Sequence, residues 1–220
     1  MEAYRTEEEQ LEALKKWWKE NGTAILVGVS VALAGVFGYK GWQNHKLSVA
    51  AEASAIYSDL LEVSSKSAQG ELSEEDKSSL EHLANQLKTE FSDTTYAVFA
   101  AFVKAKQAVA EKDLAAAKTE LEWVLKQDID VNLKLVAKLR LARVTFAEST
   151  DQAGQALALV ENVDAGKFTA NYESFKGDVY LAQGNQAKAR EAYQKALDAS
   201  KDSGQPNPFV QVKLDDLAAQ

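Results

Sequence analysis

The chain has 220 residues, of which 46% are hydrophobic and 26% charged, with a formal net charge of -8. That is enough for one packed domain with an appendage, and too polar for a protein that crosses a membrane many times. Downstream of Lys46 acidic residues outnumber basic ones, which argues against binding a phosphate backbone, and the lack of cysteine removes disulfides, thiolate metal sites and cysteine nucleophiles.

The only prolines are Pro206 and Pro208, so nothing ahead of them carries the residue that breaks helices. Alanine, leucine, glutamate, lysine and glutamine dominate, and β-branched residues are sparse outside Ile25 to Val36. Both features predict an all-α chain. Residues 1–20 form a charged N-tail in which Thr6 and Glu9 have capping-box spacing and Leu11, Leu14 and Trp18 recur at helical intervals, predicting a short amphipathic helix at a membrane interface.

Residues 21–42 read as a transmembrane anchor. No charge occurs from Asn21 through Tyr39, and about 19 helical residues reach roughly 28 Å, close to the hydrocarbon thickness of a lipid bilayer. Trp17 and Trp18 precede the run and Tyr39 and Trp42 follow it, as interfacial aromatic residues do. Lys15, Lys16 and Lys19 outnumber Lys40 and Lys46, which predicts a cytoplasmic N-terminus by a margin of a single charge and leaves the opposite topology as the alternative. Along the span Ala24, Gly28, Ala32 and Gly35 recur at spacings of four and three. They offer a small-residue face for lateral packing on another membrane helix, although alanine and glycine are common in such segments anyway.

Residues 43–220 are predicted to be a tetratricopeptide-repeat (TPR)-like α-solenoid. Its clearest unit, at about 170–200, has Gly177 and Tyr180, the turn Gly184-Asn185, then Ala189, Tyr193 and Ala196-Leu197. This matches the TPR pattern of a small residue for close helix approach, an aromatic filler and a glycine turn. A unit at about 96–127 has Ala105 and Ala108, the turn Lys112-Asp113, and Ala117, Leu121 and Val124. A weaker unit at about 136–164 pairs Leu139 to Val144 with a second helix through Ala156, Val160 and Val163. A helix over 207–219, with Phe209, Val210, Val212, Leu214 and Leu217, is expected to cap the array.

Leu11 to Gly22, the span end Gly38-Tyr39-Lys40-Gly41-Trp42, the stretch Leu139 to Val144 and Lys176-Gly177-Asp178 together resemble the YfgM family of ancillary SecYEG translocon subunits, over nearly the whole chain. The resemblance implies a bacterial inner-membrane protein with its TPR domain in the periplasm. It also implies association with SecYEG and with the membrane-anchored chaperone PpiD.

Chemistry is scarce. The two histidines, His45 and His82, are too few for a histidine metal site or a catalytic triad, and no glycine-rich phosphate loop occurs, so neither catalysis nor a cofactor is expected. Binding by shape remains. In a TPR array the first helix of each unit lines a groove, which here would present Phe99, Phe102, Lys106, Arg140, Arg143, Asn171 and Asp178. Arg140 and Arg143 share a helix face and are placed to meet acidic or C-terminal carboxylate groups of a partner, or else acidic residues of neighbouring helices. The sequence thus predicts a membrane-anchored adaptor. Its alternatives are a TPR chaperone that binds unfolded secreted polypeptides through exposed phenylalanines, and a structural scaffold tethered to the lipid bilayer.

Overall fold

A computed structural model describes residues 7–68, 70–203 and 207–218. The capping residue Thr6, Pro206 and residue 219 at the end of the expected capping helix lie outside the described residues. No strand occurs among those described.

Helix α1 runs unbroken over Glu7–Ser65, so the expected interfacial helix, the span and the segment after it are one element. Glu7, Glu8 and Glu9 sit in its first turn, where carboxylates suit the positive end of the helix dipole. Continuity through Asn21-Gly22 has local support. The Asn21 side-chain amide donates to the Trp17 carbonyl at 3.0 Å, and a Cβ on Gly22 would lie 3.1 Å from the Trp18 indole.

The chain divides into two compact units, residues 1–52 and 53–220. In the first, Leu26, Val31 and Phe37 are exposed by 58%, 67% and 69%. Water would strongly disfavour that much uncovered apolar surface, whereas lipid accepts it, and the helix satisfies its own backbone hydrogen bonds. α1 is the one helix among the described residues long and apolar enough to cross a membrane.

The second unit begins with the end of α1, where Ala53 and Leu60 are fully buried. Helix α2 (Glu74–Glu90) starts at Ser73, whose Oγ accepts the Asp76 N–H at 3.1 Å. The Lys66 ammonium, 2.6 Å away, and then the Ser73 hydroxyl hold the Asp76 carboxyl below the usual carboxylate range. Antiparallel pairs follow, formed by α3 (Thr95–Ala110) with α4 (Leu114–Lys126), α5 (Val131–Glu148) with α6 (Ala153–Ala158), and α7 (Thr169–Ala182) with α8 (Gln186–Asp202).

Left-handed residues make the tight turns. Lys112 has φ 64° and Gly184 φ 75°, and the next residue in each case caps the following helix: Asp113 accepts the Ala116 N–H at 2.9 Å and Asn185 accepts that of Lys188 at 3.1 Å. Ala117, Ala156 and Ala189 are all fully buried, as close helix approach requires. Tyr172 of α7 donates its hydroxyl to the Leu135 carbonyl of α5 at 2.7 Å, joining two first helices of the array, and burial pushes its phenol up to about 12.

Two expectations need correction. The second helix of the middle unit stops at Ala158, short of Val163, because the chain turns through Asn162 at φ 55° and then through Asp164, whose carboxylate accepts the Gly166 N–H at 3.2 Å. Ala156 and Val160 still fill the core. In α9 (Pro208–Ala218) Val210 and Leu217 are buried and Leu214 packs against the same cluster, but Phe209 and Val212 stay exposed. A helix of this length buries one face, and the spacing of 210, 214 and 217 selects it. Arg190 of α8 donates to the Leu217 carbonyl at 2.9 Å and holds that face down.

Candidate partner-binding groove

Residues of α3 and α5, the first helices of two neighbouring units, face a common space that Tyr57 near the end of α1 borders on one side. Together they bound a cavity of about 600 Å³, whose walls include Tyr57, Phe99, Leu133 and Val136. Lys106, Arg140 and Arg143 stand among these apolar walls. Tyr57 packs on Tyr96 and Phe99 with ring centroids 5.6 and 5.7 Å apart, so the aromatic side of the cavity is built from two helices.

Five of the seven residues expected in a groove come together here: Phe99, Phe102, Lys106, Arg140 and Arg143. Phe102 is not exposed, as had been expected, but buried at 9%, with the Arg140 guanidinium carbon 4.7 Å from the centre of its ring. At that distance the face of the ring attracts the guanidinium. Arg143 follows three residues later and is exposed. Burial, and then the charge of Arg143, lower the Arg140 pKa. The expected alternative, pairing with acidic neighbours, does not occur: neither arginine bonds a carboxylate among the described residues. Among the described residues Lys106 reaches only the Ser67 hydroxyl, at 3.4 Å.

Asn171 and Asp178 lie elsewhere. Asn171 borders a separate depression with Lys167 and Phe209. Asp178 accepts the Tyr193 hydroxyl at 2.7 Å and the Lys213 ammonium at 2.6 Å, so it ties α7 to α8 and α9 instead of facing a partner. The sequence reading missed Tyr57. Its signal was present in the register, since Ala53, Tyr57 and Leu60 recur at four and three and mark one inward face.

In the first unit Ala24, Gly28, Ala32 and Gly35 are exposed, and a Cβ on Gly28 or Gly35 would meet nothing within 4 Å. Glycine is therefore not required there by packing within the chain. A neighbouring helix could approach that face closely.

The tetratricopeptide repeat-like domain family matches residues 15–219. Across 216 residues the chain is 33% identical to the ancillary SecYEG translocon subunit of Haemophilus influenzae and 34% identical to that of Aggregatibacter actinomycetemcomitans, covering 98% of this chain and all of each relative. The subunit of the same name from Escherichia coli is 28% identical over 218 residues, 99% of this chain and all of that protein. No solved structure matches the chain significantly.

Proposed function

Because this chain belongs to the tetratricopeptide repeat-like family of ancillary SecYEG translocon subunits, we propose that it is a single-pass inner-membrane adaptor. In this reading it associates with SecYEG and holds a membrane-anchored chaperone of the PpiD kind near emerging polypeptides. The observation that carries the reading is the union, in one chain matched end to end by such relatives, of a lipid-facing span and a repeat domain with an open cavity between the first helices of two units. The function is binding, not catalysis. The lysine excess ahead of the span supports a cytoplasmic N-terminus and a periplasmic repeat domain.

Direct chaperoning of unfolded chains draws less support from the groove. Such a role calls for a broad apolar floor, whereas Phe102 is buried beneath Arg140 and Phe99 is packed on Tyr57.

The test is co-purification. A tagged full-length chain, extracted from native membranes in mild detergent, is expected to bring down SecY, and absence of SecY would refute the reading. The same experiment checks the span. Gly28→Leu with Ala32→Leu fills the small-residue face without touching the repeat domain, and is expected to reduce the recovered SecY several-fold at unchanged membrane content. Unchanged recovery would remove that face from the interface.

A further inference from the structure

We propose that the cavity beside Tyr57, Phe99 and Arg140 takes one bulky apolar side chain of an acidic peptide segment, whose flanking carboxylates are held by Arg140 and Arg143. The proposal deepens the adaptor reading, and rests on it in taking the occupant to be a protein.

Charge placement on the domain points to a carboxylate ligand. Several lysines of the domain are answered by acids, among them Lys66 by Asp76 at 2.6 Å, Lys88 by Glu120 at 2.5 Å, Lys176 by Glu173 at 2.7 Å and Lys213 by Asp178 at 2.6 Å, whereas the three cations that border the cavity, Lys106, Arg140 and Arg143, have no carboxylate partner among the described residues. The chain has 33 acidic residues against 25 lysines and arginines, so carboxylates are in surplus, and yet none bonds Arg140 or Arg143 among the described residues. The two arginines stand three apart on one helix face, and desolvation of the Arg140 guanidinium, then the charge of Arg143, disfavour its charged form, a cost that an arriving anion offsets. Arg140 also lies close to the Phe102 ring, its guanidinium carbon 4.7 Å from the ring centre, and a guanidinium is the side chain suited to a two-pronged bond with a carboxylate.

The space beneath defines the rest of the ligand. About 600 Å³ falls within the range of built ligand sites and accommodates a large side chain with part of its backbone. The walls contributed by Tyr57, Phe99, Leu133 and Val136 are apolar, so a leucine or an aromatic residue gains burial there while its acidic neighbours remain at the rim. A peptide fits better than an anionic bilayer because a short segment presents only a few charges to an otherwise acidic domain. A bilayer presents a field of like charge to all of it.

The full-length chain in nanodiscs of zwitterionic lipid is titrated with three fluorescein-labelled synthetic peptides, read by anisotropy. One has a phenylalanine flanked by glutamates, the second the same phenylalanine flanked by glutamines, and the third a glycine flanked by glutamates. The first is expected to bind saturably and the other two about tenfold more weakly, since a bond to a charged group and a buried aromatic ring are each worth at least about 1.4 kcal/mol. Arg140→Glu with Arg143→Glu should abolish binding of the first peptide. The milder Arg143→Gln, at an exposed position, should weaken it with the thermal unfolding midpoint unchanged. Equal binding of the glutamate and glutamine peptides, retention by the double variant, or no binding at all would overturn the proposal. Displacement of the first peptide by nanodiscs of phosphatidylglycerol would reassign the site to lipid and overturn it equally. Recovery of SecY with the same preparations separates the two claims: peptide binding without SecY refutes the adaptor reading alone, and SecY without peptide binding refutes this one alone.

Discussion

Gly177→Ala is expected to destabilise the repeat domain by about 2 kcal/mol, although in an open helix the change would help. Alanine gains about 1 kcal/mol over glycine in helix propensity, whereas overpacking a filled core costs roughly 1–3 kcal/mol, and a contact as short as the one at Gly177 takes the upper end of that range. The geometry decides which effect wins. A Cβ on Gly177 would lie 2.4 Å from the Tyr193 ring, well inside contact distance. Tyr193 cannot retreat, being fully buried with its hydroxyl bonded to Asp178 at 2.7 Å. Asp178 is held in turn by Lys213 of α9, so the strain reaches the cap. Thermal unfolding of the full-length chain, followed by circular dichroism, should show a midpoint lowered by about 4–8 °C. Combining Gly177→Ala with Tyr193→Leu should cost less than the sum of the single changes, because the smaller side chain leaves room for the methyl group. Additive losses would place the damage somewhere other than this contact.

The second large effect concerns insertion. Ile25, Leu26, Val27, Val29, Val31, Leu33, Val36 and Phe37 favour the bilayer by about 0.3–0.6 kcal/mol each, or about 2–5 kcal/mol together. An arginine at the centre of a span costs about 2.5–3.5 kcal/mol. Val29→Arg with Val31→Arg therefore removes two favourable residues and adds about 5–7 kcal/mol of cost, more than the remaining apolar side chains supply. The chain is expected to leave the carbonate-washed membrane fraction almost completely, while either single change leaves a substantial part inserted. Full retention of the double variant would mean that α1 is held at the membrane by something other than its own hydrophobicity.

The anchor and the last repeat were the most legible parts of the sequence, for different reasons. The anchor needs only an unbroken apolar run of sufficient length. The last repeat declares itself through a glycine and a tyrosine that must meet, Gly177 and Tyr193, and a glycine turn at Gly184. The second helix of the middle repeat was harder to end, because its break falls at a left-handed asparagine, Asn162, which lacks the plain signature of proline or glycine. Phe102 was read as exposed for a physical reason. Helix α3 buries Ala97, Val98, Ala100, Ala101, Phe102 and Val103 on several sides, so an apolar periodicity there cannot tell the groove from the core. Asp178 was misplaced because Lys213, the cation that claims it, is 35 residues away on a helix whose docking the sequence does not specify. The arginine pair was visible from its spacing, but its freedom from carboxylates emerged only from the packing of α3, α4 and α5.

The central claim is that one chain joins the translocon through its span and a second protein through its groove. Photo-crosslinking in native membranes addresses both parts in one experiment, with a photoreactive amino acid placed at Val31, on the small-residue face, or at Arg143, at the rim of the cavity. The account predicts an adduct with a SecYEG subunit from Val31 and an adduct with a different, chaperone-like protein from Arg143, the latter lost when Arg140→Glu is added. Membranes in which neither position gives a protein adduct, with the chain correctly inserted, would contradict it.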